Sequence, residues 1–156
     1  LNDKRDVNKE TKAKVKEIAK KLNYIPNSSA LALRNRETKI IGVIVPKINS
    51  KIYGNIISKI QVNAFKRGYR IILLQSLACE DRELECINNV SDGCIDGLIL
   101  VWPIQKDNDK INKILSINGT KLPTELIYIN AKSSINMHES KSLGKKSLNK
   151  LLRQIN

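Results

Sequence analysis

Ile40-Ile41-Gly42-Val43-Ile44-Val45 decides the fold. Six uncharged residues in a row, five of them β-branched and one glycine, mark a strand covered on both faces. The pattern repeats downstream. Arg70–Gln75 (RIILLQ), Ile95–Val101 (IDGLILV) and Glu125–Ile129 (ELIYI) are further strands. Between them lie segments of helical periodicity. One runs from 52 to 66, with Tyr53, Ile56, Ile57, Ile60 and Ala64 on its buried stripe, and stops at Arg67-Gly68. Another covers Asp81–Val90 with Leu84, Ile87 and Val90, and a third Lys106–Ile117. Strand starts recur every roughly 25–30 residues, the length of a βαβ unit. Such alternation predicts an α/β fold, a parallel sheet with helices on both faces.

Upstream, the spacing of Val15, Ile18, Ala19 and Leu22 predicts a helix over 9–23, with Asn8 as N-cap and Asn23 as a left-handed C-cap before Pro26. Its opposite face is lysine-rich. One such helix cannot bury its stripe alone, so it calls for companions. The following NSSALALRNRETK (Asn27–Lys39) has room for only about two helical turns, too few to be stable unaided. Downstream, residues 135–156 read as a loop and then a basic amphipathic helix carrying Leu143, Leu148, Leu151 and Leu152.

The chain has 156 residues and a net charge of +13. Residues 1–39 hold 11 basic and 5 acidic side chains, a net of +6; residues 40–131 hold 11 and 9, a net of +2; residues 132–156 hold 6 and 1, a net of +5. Basic ends around a balanced middle favour a polyanionic partner such as nucleic acid. Compositional drift in a Lys-, Asn- and Ile-rich chain competes as the cause of the overall excess. Enzyme chemistry finds no foothold. Pro46–Lys51 (PKINSK) is not a glycine-rich phosphate loop, and Cys79, Cys86 and Cys94 lack zinc spacing. His138 stands without a motif. Neither catalysis, a metal nor a cofactor is expected. No apolar run spans a bilayer, and the opening residues do not resemble a signal peptide, so the expected location is the cytoplasm.

Five stretches in register resemble the LacI family of bacterial transcription repressors. Leu1–Asn27 is similar to the family's segment from the end of the recognition helix to the hinge, and Thr38–Ile56 to the hinge exit with the first strand and helix of the regulatory domain. Lys66–Ser76, Ile95–Ile99 and Asn130–Leu152 resemble the second strand, the third strand and the crossover. The resemblance implies a periplasmic-binding-protein-like N-terminal subdomain at 40–131, preceded by a helix-turn-helix remnant at 1–25 and a hinge at 26–39. Residues 132–156 would open a second subdomain. The expectation is thus a regulator truncated at both ends, dimeric when full length. A periplasmic sugar-binding protein, which shares the sheet, is the alternative; the basic helix and hinge speak against it.

The same resemblance implies two sites. In the hinge, Leu33 would wedge between base pairs of operator DNA, with Arg34 beside it as a phosphate or groove contact and Asn27 on the backbone, exchanging unstacking for a bent duplex that touches more protein. Alternatively, Leu33 packs on the sheet or is simply exposed. A small-molecule effector, a sugar by the resemblance, would bind beyond the carboxyl ends of the strands. Tyr53 and Trp102 would stack on its ring, and Ser76 and Asn130 would hydrogen-bond it. Trp102 serves equally well as a subdomain-interface anchor. Asn49-Ser50 replaces the family's usual Asn-Pro at the first turn.

Overall fold

The computed structural model describes residues 8–24, 37–103, 122–129 and 136–155. The chain divides into two units, residues 1–38 and 39–156. In the first unit, α1 spans Lys9–Lys21. The Asn8 side chain accepts the Glu10 N–H, and the end is closed by Leu22 N–H to the Ile18 carbonyl and Tyr24 N–H to that of Ala19. Asn23 takes the left-handed conformation its position predicts (φ 48°). No residue of α1 is buried, so the stripe of Val15, Ile18 and Leu22 is exposed rather than covered.

The second unit is built on four strands: β1 (Ile40–Val45), β2 (Arg70–Gln75), β3 (Gly97–Pro103) and β4 (Thr124–Ile129). They lie in the order β2-β1-β3-β4, every pair parallel. β1 is central and takes partners on both edges, which is why its sequence is apolar without interruption. Side chains alternate between the faces. Ile41, Val43, Val45, Ile99, Val101, Ile127 and Ile129 point to one face, and Ile44, Leu98, Leu100 and Trp102 to the other.

The first face is covered by α2 (Lys51–Phe65) and α4 (Met137–Ile155). From α2 come Ile56, Ile60 and Ala64, as its spacing predicts; from α4 come Leu148, Leu151 and Leu152. The last helix is therefore part of the same core as the sheet, although the sequence reading sets it beyond a boundary at 131. α4 also buries Ser140, Gly144 and Ser147, a row of small residues that lets its backbone approach α2. The other face receives α3 (Glu80–Asn88), whose Ile87 is buried with Val90 and Ile95. α3 departs from expectation in one respect. Leu84, placed by periodicity on the buried stripe, is exposed, and Glu83 is buried instead. Between α2 and β2 the chain reverses through Gly68 (φ 75°), a conformation that a side chain would strain. The helix predicted over 106–117 lies outside the described residues.

Candidate functional site

In an open α/β sheet the crevice forms beyond the carboxyl ends of the strands, where the strand order reverses. Here β1 connects through α2 to β2 on one side, and β2 through α3 to β3 on the other, so that point lies between β1 and β3. Two described loops border it. The first, residues 46–50, is tied to the neighbouring strand end by Ile48 N–H donating to Gln75 Oε1 at 3.0 Å. Ser50 occupies the N-cap position of α2 without forming a side-chain capping bond. Tyr53, in the first turn of α2, is half-buried against the α2–α4 core, and burial pushes its phenol pKa upward.

The second loop follows β2. Ser76 is buried; its N–H donates to the Val45 carbonyl at 3.0 Å and its Oγ to Glu83 Oε1 at 3.2 Å. The bond fixes the loop to α3 and gives the buried carboxylate a donor, which offsets about 1–3 kcal/mol of its desolvation. Leu77 and Ala78 are then both left-handed (φ 55° and 58°), and Cys79 N–H returns to the Ser76 carbonyl. Two consecutive non-glycine residues in this region store about 1 kcal/mol or more each, and such strain concentrates at ligand-binding loops.

Trp102 stands at the end of β3, 2% exposed, on the sheet face opposite the one Tyr53 packs against. The structure thus places Tyr53, Ser76 and Trp102 at one edge of the sheet but distributes them over two faces. In this conformation Ser76 is bonded to Glu83 and Trp102 is enclosed by apolar neighbours. Asn130 lies outside the described residues, as do Asn27, Leu33 and Arg34. Glu83 was missed by sequence reasoning. Its signal was present: Glu83, Ile87 and Val90 share one helical stripe, and a carboxylate on that stripe needs a buried donor.

At the opposite edge, Lys39 begins the second unit in a left-handed conformation (φ 56°). Its N–H donates to Asp96 Oδ2 at 2.8 Å, its carbonyl accepts the Arg70 N–H, and its Nζ lies 4.8 Å from the centre of the Tyr69 ring. Lys39 is thus pinned to Arg70, the first residue of β2, and to Asp96, just before β3. Among the described residues no His, Cys, Asp and Glu group is arranged to hold a metal ion. No described helix is long and apolar enough to cross a membrane.

No protein-family model matches the chain. Individual proteins do. Catabolite control protein A of Staphylococcus aureus is 34% identical over 101 residues, 65% of this chain and 31% of that protein. The HTH-type transcriptional regulator RegA of Clostridium acetobutylicum is 32% identical over 128 residues, 81% of this chain and 37% of that one. The chain thus spans about a third of the length of the curated relatives it matches. Among solved structures, the lac repressor dimer bound to operator and the anti-inducer ONPF superimposes with a TM-score of 0.67 over 77% of this chain and 37% of that chain, at 22% identity. That likeness confirms the sheet and its helices. These relatives carry the names of transcription regulators, which favours neither an enzyme nor the solute-binding alternative. The chain is thus similar along four fifths of its length to an HTH-type transcriptional regulator and shares its sheet with the lac repressor, in keeping with its resemblance to the LacI family.

Proposed function

We propose that the chain is the DNA-proximal and first ligand-sensing part of a cytoplasmic, dimeric repressor that binds operator DNA and answers to a small-molecule effector of the sugar class. The observation that carries this reading is the extent of the likeness to RegA. It covers 81% of the chain, more than residues 39–156 alone provide, so it reaches past the sheet into the basic first unit. A bare ligand-binding sheet would not need that continuity. In this reading residues 1–25 belong to a helix-turn-helix unit and 26–39 form the hinge. The sheet subdomain that begins at 40 extends through the last helix rather than ending at 131.

The hinge becomes ordered in the minor groove, with Leu33 as the wedge and Arg34 and Asn27 as backbone contacts. Effector binds beyond the strand ends among Tyr53, Ser76, Trp102 and Asn130, and favours one of two states of the hinge. For Ser76 and Trp102 to take part, the strained loop at 77–78 has to rearrange and open the Ser76–Glu83 bond. Duplex bending, read by energy transfer between end labels, tests the DNA half. Leu33→Ala is expected to abolish the bend, and Arg34→Ala to weaken binding. Unchanged bending in both variants removes the hinge assignment. For the effector half, Trp102 is the sole tryptophan, so a panel of sugars and sugar phosphates is expected to contain one that shifts its emission.

A further inference from the structure

Away from the effector edge, near the end where α2 and α4 finish, lies a second polar feature. Arg67 occupies the turn after α2, and its guanidinium is held on two sides. Nη1 donates to the Asn63 carbonyl at 3.1 Å and Nη2 to Asn149 Oδ1 at 2.8 Å. Both acceptors are neutral, so these bonds aim the group without cancelling its charge. Arg153 follows Asn149 by one turn of α4 and so shares its face. Arg67, Asn149, Leu152 and Arg153 line one open cavity of about 520 Å³. Among the described residues, neither arginine is paired with a carboxylate.

Helix capping accounts for part of this arrangement, since a cation near a helix C-terminus is favourable. It accounts for Arg67, which reaches a carbonyl of the last turns of α2. Among the described residues the Arg153 side chain bonds to no carbonyl. Two guanidiniums lining the same cavity without an acid repel each other, and a bound anion relieves that repulsion. Guanidinium forks match tetrahedral oxyanions, to which they donate parallel N–H bonds.

We propose that Arg67, Asn149 and Arg153 form an oxyanion site for a phosphate group, distinct from the effector crevice. Arg67 and Arg153 bind the phosphate oxygens, and Asn149 fixes the direction of Arg67. The phosphate belongs either to a nucleic-acid backbone or to a free phosphate compound. The geometry of the site is independent of the regulator reading.

Titration of the full chain with inorganic phosphate at constant ionic strength, with chloride as the control, tests the site by calorimetry. Saturable binding is expected, weakened about tenfold by Arg153→Gln through loss of charged hydrogen bonds. Among the described residues the Arg153 side chain makes no hydrogen bond or ion pair, so that variant keeps the fold, which an unchanged melting temperature verifies. Arg67→Lys keeps the charge but loses the fork, and is expected to weaken binding as well. Duplex DNA titrated against salt separates the sources. If the group is a backbone phosphate, each arginine removed lowers the slope of log K against log salt by about one. Phosphate binding with an unaltered DNA slope assigns the site to a free phosphate compound and upholds the site without the regulator. Equal phosphate affinity in wild type and Arg153→Gln, with no change in DNA slope, overturns it.

Discussion

At Gly144 the contact between α2 and α4 leaves no space for a methyl group. A Cβ there would stand 2.6 Å from the Ile56 carbonyl oxygen, a backbone atom that cannot swing aside. Gly144→Ala is expected to cost about 2–3 kcal/mol through overpacking, visible as a lower midpoint in urea; an unchanged midpoint contradicts the close approach. The Ser76–Glu83 bond makes a second demand. Ser76→Ala leaves the buried carboxylate short of a donor and is expected to destabilise the unit by about 1–3 kcal/mol. The three cysteines differ in a way that alkylation can read. Cys79 is exposed. Burial, with Asp92 beside it, pushes the Cys94 thiol up to about 11, and burial with Glu85 and Glu83 raises Cys86. A raised pKa means less thiolate at pH 8, so iodoacetamide is expected to modify Cys79 well before the other two. Mass spectrometry of the peptides gives the order, and prior labelling of Cys94 would contradict the burial.

The elements show how far residues predict structure. All four strands were legible as short apolar runs rich in β-branched residues between helical segments, and each lies within two residues of its expected bounds. Tyr53, Ser76 and Trp102 were found by position, as residues next to strand ends. What each side chain does there was not legible, because that depends on which face the strand register gives it and on which helix closes over it. Leu84 and Glu83 make the point: neighbouring positions compete for one stripe, and Ser76, distant in sequence from neither, settles the outcome by offering Glu83 a hydroxyl. α4 misled for a related reason, since its leucines do not reveal which surface they will cover. α1 carries its own prediction. With no buried residue and an exposed Glu17–Lys21 pair on its surface, it depends on local capping. A peptide of residues 8–24 is expected to be mostly unfolded in water, since isolated helices shorter than ~12–15 residues are marginal; circular dichroism showing a predominantly helical peptide would contradict this.

Across the whole molecule, stability and charge are distributed differently. The core belongs to residues 39–156, whereas the first 39 residues carry a net of +6. Amides of β1 are expected to exchange with solvent only through global unfolding, and those of α1 far sooner. That division suits the proposed regulator, whose basic first unit would meet nucleic acid while its sheet stays folded. Binding of the chain to a duplex across roughly 50–200 mM salt tests the central claim most directly. Phosphate neutralisation by a basic hinge and helix predicts a linear fall of log K with log salt, steep enough to lose an order of magnitude or more across that range. Binding that is absent at the lowest salt, or indifferent to salt, would contradict it.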